Sequence, residues 1–170
     1  MNELYLLRHA KTVPQADNVR DTDRTLEERG RVGARRMAKW LKQQKIVPEL
    51  VLCSPAVRTR ETLDLVAEAF ARKPKIEYEP GLYLATGARL MDRLKEIPDE
   101  VARVMVVGHN PGLHELAQAL TDRTVGPLAE RLAANLATAG LARFEVGIEW
   151  SGLRRRGARL VALVSPKDLD

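Results

Sequence analysis

The feature that most constrains the fold of this chain is a short apolar run that occurs three times and each time ends abruptly in polar residues. The runs cover residues 3–7, 50–53 and 103–107, and the pairs that follow them are Arg-His, Ser-Pro and Gly-His. Apolar runs of this length, each followed along the chain by a helical pattern, predict buried strands that alternate with helices. Such alternation predicts an α/β fold with a mostly parallel sheet.

Capping residues predict where two of the helices start. Thr25 and Glu28 have the three-residue spacing of a capping box, which predicts that the first helix starts at Thr25. Ser54 and Pro55 are typical of an N-cap followed by the first helical residue, so a second helix is predicted to start there. Gly30 falls on the apolar face of the first helix and indicates close packing at that point.

The rest of the chain continues the alternation. Further strands are predicted at residues 75–78, 141–150 and 159–164, and further helices between residues 86 and 98, after residue 112 and at residues 128–135. We therefore expect a three-layer α/β/α sandwich, mostly parallel, with an antiparallel pairing near the C-terminus. No linker, repeat or low-complexity segment interrupts the pattern, so residues 1–170 are predicted to form a single domain.

The composition limits the possible functions of the chain and the cellular compartments in which it could act. The single cysteine, Cys53, can neither form an internal disulfide nor supply the thiolates of a structural zinc site, which fits a reducing cytoplasm. No apolar stretch is long enough to span a membrane. The net charge of +5 suits a phosphorylated or acidic ligand, whereas nucleic-acid binding ranks last because aromatic residues make up only 4% of the chain.

The ends of the three apolar strands carry the residues best suited to bind a ligand or to react with it. Ligands of open α/β sheets bind beside the carboxyl ends of the strands, and these ends carry Arg8 and His9, Ser54 and Arg58, and His109. Guanidinium groups bind phosphate oxygens through paired hydrogen bonds, and a helix N-terminus adds partial positive charge. If the three loops converge, they form a pocket for a tetrahedral dianion.

The two histidines at strand ends are expected to have different roles. Imidazole can accept a phosphoryl group when it is neutral, and its ordinary pKa near 6.5 allows that state at neutral pH. His9 is predicted to be the nucleophile because Arg8 directly precedes it. His109 is expected to be cationic and to donate a hydrogen bond to a phosphate oxygen. Water would then release phosphate from His9.

Four further residues are candidates for substrate binding. Ser54 either contacts phosphate or only caps its helix, and Asn110 is similarly ambiguous. Arg24 lies in a long aperiodic segment, residues 12–24, from which it either reaches the pocket or pairs with a nearby aspartate. Lys11 closely follows the Arg-His pair and completes the set.

Four segments of the chain resemble the motifs of a known family. They are residues 6–11, LLRHAK, residues 23–30, DRTLEERG, residues 54–62, SPAVRTRET, and residues 108–112, GHNPG. In order and spacing they are similar to the histidine phosphatase superfamily, and among its members to the short SixA-type phosphohistidine phosphatases. Alanine stands at position 10, where glycine is commonest in that family.

The resemblance implies both a fold and a reaction. It implies a phosphoglycerate mutase-like fold and a phosphoryl acceptor at His9. It also implies that Arg8, Arg58 and His109 bind the phosphate, and that the mechanism needs neither a metal nor another cofactor. The substrate would carry phosphohistidine or another small phosphoryl group.

One departure from the family pattern bears on the substrate. Phosphomutases and many phosphoesterases of this superfamily place a glutamate in the loop after the third strand, where this chain has EPGLYL at residues 79–84, with Leu84 in the expected position. Without that acid an alkoxide leaves poorly, whereas the P–N bond of phosphohistidine is more labile. Glu77, Glu79, Asp17 and Asp21 are alternative candidates for the acid.

The sequence therefore favours a hydrolase of protein phosphohistidine. A general phosphomonoesterase of the same superfamily and a non-catalytic phosphate-binding module are the alternatives. We expect a monomeric cytoplasmic enzyme that acts on a phosphorylated protein or a small phosphorylated substrate, without nucleic-acid or membrane partners.

Overall fold

The computed structural model describes residues 1–122 and 125–169, whose strands form one six-stranded sheet. The strands are β1 (Asn2–Arg8), β2 (Leu50–Cys53), β3 (Lys75–Tyr78), β4 (Arg103–Gly108), β5 (Leu141–Val146) and β6 (Arg159–Val164). Their order across the sheet is β3-β2-β4-β1-β5-β6. Strands β1 to β4 are mutually parallel, and β5 runs antiparallel to both β1 and β6. The predicted mostly parallel sheet with an antiparallel C-terminal pairing is confirmed.

In the part of the chain that the structure describes, five helices cover the two faces of this sheet. They are α1 (Glu28–Gln43), α2 (Val57–Ala67), α3 (Gly87–Lys95), α4 (Gly112–Leu120) and α5 (Pro127–Ala134). Successive strand residues point to opposite faces. Accordingly, Leu4 and Leu6 of β1 pack in the core with α3, α4 and α5, whereas Tyr5 and Leu7 pack with α1 and α2. This is the expected three-layer α/β/α sandwich.

Two helices start later than their capping residues predict. Helix α1 starts at Glu28 rather than at Thr25, because the preceding segment is extended and the N–H of Leu26 donates to the side chain of Glu61. Helix α2 starts at Val57, not after Ser54. The hydroxyl of Ser54 is 2.7 Å from Nε2 of His109 instead of capping α2 in the predicted way.

One strand is shorter than predicted. Strand β5 ends at Val146 rather than near residue 150, and Trp150 starts a short 3₁₀ turn. Its side chain is fully buried, and its indole N–H donates to the carbonyl of Val101. The ring of Trp150 packs in the same core cluster as Leu4 and Leu6, four residues beyond the end of the β5 ladder.

Glycines allow two close approaches that fix loops near the carboxyl edge. A Cβ on Gly30 would lie 2.0 Å from the carbonyl oxygen of Lys11, so α1 can pack directly on the loop after β1. A Cβ on Gly112 would lie 1.8 Å from the carbonyl oxygen of Ala85, which joins the start of α4 to the loop before α3. Within the described part of the chain, no helix has the length and apolar character needed to cross a membrane.

Candidate active site

The carboxyl ends of three neighbouring strands meet as the alternation of strands and helices predicts. The parallel registers of β1 and β2 against β4 bring His9, Ser54 and His109 to the same edge of the sheet. The ring centroids of His9 and His109 are 5.5 Å apart. The side chain of Arg58, in the first turn of α2, reaches the same edge.

These residues border a pocket of about 490 Å³. Its walls are formed by Arg8, His9, Lys11, Thr12, Asp21, Arg24, Arg58, Leu84, His109, Asn110 and Thr138. Seven of the eight predicted site residues are therefore brought together, and the exception is Ser54, which lies behind His109. The walls contain four cationic side chains and one carboxylate. This excess of positive charge suits an anionic ligand.

Backbone hydrogen bonds hold His9 rigidly at the floor of the pocket. Its N–H donates to the carbonyl of Gly108, and its carbonyl accepts from the N–H of Ala139. The next residue is fixed as well, because the N–H of Ala10 donates to the hydroxyl of Thr62 on α2. The main chain around His9 is therefore tied to β4, to the loop before β5 and to α2.

The hydrogen bonding of His9 determines which ring nitrogen is free. Its Nδ1 lies 2.8 Å from the carbonyl oxygen of Ala10. A carbonyl oxygen can only accept, so Nδ1 carries the proton and Nε2 keeps its lone pair. Burial, assisted by the guanidinium charges of Arg58 and Arg8, lowers the pKa of His9 to about 4. The ring is thus neutral at physiological pH and can act as a nucleophile.

Arg58 is the most buried cation of the pocket, with 3% of its side chain exposed. It donates from NH2 to Oδ2 of Asp21 at 2.9 Å and from NH1 to the backbone oxygen of Asp21 at 2.7 Å. The hydroxyl of Tyr83 donates to the same Oδ2 atom, and Arg24 donates to Oδ1 at 3.1 Å. The Tyr83 bond and the two guanidiniums hold the pKa of Asp21 far below its usual range.

Arg8 and Asn110 both line the pocket and share one backbone hydrogen-bond partner. Both donate to the carbonyl of Leu136, at 3.2 Å from Arg8 and 2.9 Å from Asn110. Nε of Arg8 and Oδ1 of Asn110 are buried without a hydrogen-bond partner in the described structure. Burial lowers the pKa of Arg8. The hydrogen-bonding capacity of these two atoms is therefore unsatisfied within the described residues.

The expectation that His109 is cationic is wrong for the free protein. Burial and the nearby charge of Arg58 lower its pKa to about 3, so the ring is neutral. Its Nε2 is paired with the fully buried hydroxyl of Ser54, and its Nδ1 has no partner among the described residues. Ser54 therefore orients His109 from outside the pocket.

Arg24 and Lys11 occupy the mouth of the pocket. Arg24 does both things that the sequence allowed, since it lines the pocket and also pairs with Asp21. It is further held by Thr12 and by the carbonyl of Val13, which receive hydrogen bonds from its NH2. Lys11 is exposed at the rim.

Comparisons with known proteins agree with this geometry. The model of the histidine phosphatase superfamily, branch 1, matches residues 4–83. The phosphohistidine phosphatase SixA of Escherichia coli (strain K12) is 30% identical over 128 residues, which are 74% of this chain and 78% of that protein. The chain belongs to the histidine phosphatase superfamily.

Solved structures of other histidine phosphatases have the same fold. A SixA structure from Agrobacterium tumefaciens matches with a TM-score of 0.82 and 30% identity, over 97% of this chain and 98% of that chain. A protein histidine phosphatase SixA complexed with tungstate matches with a TM-score of 0.80 and 26% identity, over 99% of both chains. Family and fold together support a phosphatase, a hydrolase of phosphoryl groups.

An apolar side chain lines the pocket at the position where the sequence pattern predicts that a general acid is missing. Leu84 lines the pocket with a positive φ of 50°. Glu79 and Glu77, the alternative acids of the preceding segment, instead bind the guanidinium of Arg93 and do not line the pocket. Of the two aspartates considered in the long loop, Asp21 lines the pocket and Asp17 does not.

Sequence reasoning missed three residues of this site and undervalued a fourth. Tyr83 packs edge-on against His109 at 5.4 Å and donates to Asp21, and Thr12 and Thr138 line the pocket wall. The sequence predicts Asp21 only as one of four alternative acids, yet among the described residues it is the one carboxylate that lines the pocket. These four alternative acids look alike in sequence, so only tertiary contacts distinguish them.

Proposed function

We propose that this histidine phosphatase hydrolyses the phosphoryl group of protein phosphohistidine through a covalent intermediate on Nε2 of His9. The observation that carries the proposal is the bond from Nδ1–H of His9 to the carbonyl of Ala10. It leaves the lone pair of Nε2 free in a pocket that three guanidiniums make attractive to a phosphate. Tungstate, bound in the related SixA structure, is likewise a tetrahedral oxyanion.

In the first step, the lone pair of Nε2 forms a bond to phosphorus. The P–N bond of the substrate breaks at the same time, and its electron pair stays on the substrate ring, which leaves as neutral imidazole when its other nitrogen carries a proton. The developing positive charge on His9 is stabilised through Nδ1–H and the carbonyl of Ala10. Arg8 and Arg58 stabilise the charge on the equatorial oxygens.

In the second step, water forms a bond to phosphorus and the P–Nε2 bond breaks. The electron pair returns to His9, and the protons of the water leave with inorganic phosphate and to solvent. We propose that Nδ1–H of His109 donates a hydrogen bond to a phosphate oxygen. If the hydroxyl of Ser54 donates its hydrogen to Nε2 of His109, the ring proton lies on Nδ1, which has no partner among the described residues. Positive charge from arginine takes the place that a metal ion holds in other phosphatases.

The apolar side chain of Leu84 supports phosphohistidine over phosphate esters. An alkoxide needs a proton as it leaves, and Leu84 cannot supply one. Imidazole has a pKa near 6.5 and leaves without a dedicated acid. We therefore propose a phosphorylated protein as the partner and, given the single buried thiol of Cys53, a cytoplasmic location.

The test compares the turnover of a phosphohistidine peptide with that of a phosphoserine peptide of the same sequence. We expect a preference of at least about 100-fold for phosphohistidine in kcat/KM, and no turnover of either by H9A. Faster hydrolysis of the ester would contradict the proposed substrate. Binding of the phosphohistidine peptide without turnover would instead indicate a phosphate-binding module.

A further inference from the structure

The carboxylate of Asp21 is bound to Arg58, the most buried guanidinium of this pocket. Its two oxygens accept hydrogen bonds from Arg58, Tyr83 and Arg24, all of which reach it from different segments. Arg58 makes its hydrogen bonds with Asp21 in the free protein. A phosphate that enters this pocket therefore meets an anion already bound to its principal guanidinium.

We propose that Asp21 is an internal anion that competes with phosphate for Arg58 and so determines which ligands the pocket retains. The inference rests on the proposed function only in that the pocket receives a phosphoryl group. A phosphoryl dianion carries twice the charge of a carboxylate and has more acceptor atoms, so it can displace Asp21. The carboxylate competes in the same way with inorganic phosphate, the product, and its return to Arg58 favours product release.

The three side chains that donate to the Asp21 carboxylate have other contacts, which hold them in position when the carboxylate moves away. NH1 of Arg58 remains bonded to the backbone oxygen of Asp21 when only the side chain turns away. Arg24 keeps its bonds to Thr12 and Val13, and the ring of Tyr83 stays packed on His109. A competing role therefore predicts that loss of the carboxylate tightens phosphate binding, whereas a role in positioning Arg58 predicts the reverse.

The location of Asp21 permits the movement that the proposal requires. The residue starts a short 3₁₀ turn, Asp21–Asp23, in the long loop after β1, and 36% of its side chain is exposed. Rotation of the side chain would bring the carboxylate into solvent without moving a helix or strand. Phosphate oxygens could then accept from NH2 of Arg58 and the hydroxyl of Tyr83.

The experiment is a titration of the whole chain with inorganic phosphate by calorimetry. We expect D21N to bind phosphate about tenfold more tightly than the wild type, because the charged group that competes with phosphate for Arg58 is replaced by a neutral amide. The matched control is D23N. Asp23 lies in the same turn but pairs with Arg20 at the surface and does not line the pocket, so its phosphate affinity should stay within about twofold of the wild type.

Four outcomes decide between this inference and the proposed function. Tighter phosphate binding by D21N, together with stronger inhibition of turnover by added phosphate, supports it. Unchanged or weaker binding by a D21N protein with a wild-type melting temperature overturns it, and D21A provides the same comparison without a hydrogen-bonding side chain. If neither the wild type nor D21N binds phosphate, both this inference and the proposed function fail. If D21N binds phosphate more tightly than the wild type but the wild type does not hydrolyse phosphohistidine, the proposed function alone fails.

Discussion

Arg58 and Arg93 both bind carboxylates in partly buried clusters, but the two clusters differ in their balance of charge. Arg93 binds Glu79 through two hydrogen bonds of 2.8 Å and also binds Glu77 at 3.1 Å. Arg58 shares the single carboxylate of Asp21 with Arg24, and Arg8 lies in the same pocket. Carboxylates outnumber the guanidinium in the first cluster, whereas guanidiniums outnumber the carboxylate in the second.

This difference separates a structural ion-pair network from a ligand site. In the Arg93 cluster the hydrogen bonds from Arg93 lower the pKa of Glu79, and Glu79 raises the pKa of Arg93, so each group stabilises the charged form of the other. In the pocket, the positive charge that Asp21 leaves uncompensated is available to a ligand. The comparison predicts that substitutions in the two clusters affect different properties of the protein.

The largest expected effect is that of R58M on catalysis. The loss of a charge-assisted donor to the transferring phosphoryl group should lower kcat/KM for a phosphohistidine peptide by about 10²- to 10³-fold. The melting temperature should change little, because the carboxylate of Asp21 retains Tyr83 and Arg24 as partners. If kcat/KM of R58M were within about threefold of the wild type, the proposed difference between a ligand site at Arg58 and a structural ion-pair network at Arg93 would be contradicted.

The matched substitution, R93M, should have the opposite profile. It leaves Glu77 and Glu79 close together without their shared partner, and we expect a loss of about 1–2 kcal/mol in the free energy of unfolding. That figure allows for the partial solvent exposure of the pair. Denaturant titration measures the loss, and kcat/KM should stay within about twofold. A large fall in kcat/KM at wild-type stability would place Arg93 in the reaction.

The dependence on pH should follow the histidines of the pocket. Because burial lowers the pKa of His9 to about 4, kcat/KM should not fall through protonation of His9 between about pH 6 and 8. It should fall below pH 5, by about tenfold at pH 3. A fall centred near pH 6.5 in the pH profile of kcat/KM would show that His9 has its ordinary pKa and would contradict the proposed neutral nucleophile.

The same pKa shifts affect folding stability with a definite sign. The folded protein binds protons at His9 and His109 more weakly than the unfolded chain, whose histidines titrate near 6.5. These two residues therefore contribute to stability fully above that value and lose their contribution as the pH falls from about 6.5 towards 4. Replacing His109 with Gln should reduce this dependence in melting curves recorded across that range.

The smallest expected effect is a change of substrate preference in L84E. A glutamate at the wall now occupied by Leu84 could protonate an alkoxide, so the ratio of phosphoserine to phosphohistidine turnover should rise about three- to tenfold. Steady-state kinetics on the two peptides measures the ratio, and L84Q is the control that cannot donate a proton in the same way. An equal rise in L84Q would indicate a steric effect.

The amino-acid sequence predicts the sheet and the centre of the site well. Strands β2, β3 and β6 have the bounds that their apolar patterns predict. The positions of His9 and His109 follow because the carboxyl ends of neighbouring parallel strands meet at one edge. These features depend on local patterns and on one general rule of α/β topology.

The features that were missed depend on contacts between distant segments. Ser54 could not be assigned from its N-cap position, because its hydroxyl contacts His109, 55 residues away in the chain. Tyr83 and Asp21 are 62 residues apart, and neither lies in a periodic element that would orient its side chain. The placement of such loop residues is set by packing, which a single sequence does not specify.

The most direct test of the account is to trap the phosphorylated enzyme. The protein would be mixed rapidly with an isotopically labelled phosphohistidine donor and quenched in alkali, in which phosphohistidine is preserved, before peptide mass spectrometry and phosphorus NMR. The account predicts label on Nε2 of His9, and none in H9A. Turnover by the wild type without label on His9, or with label on Nδ1 or on His109, would contradict it.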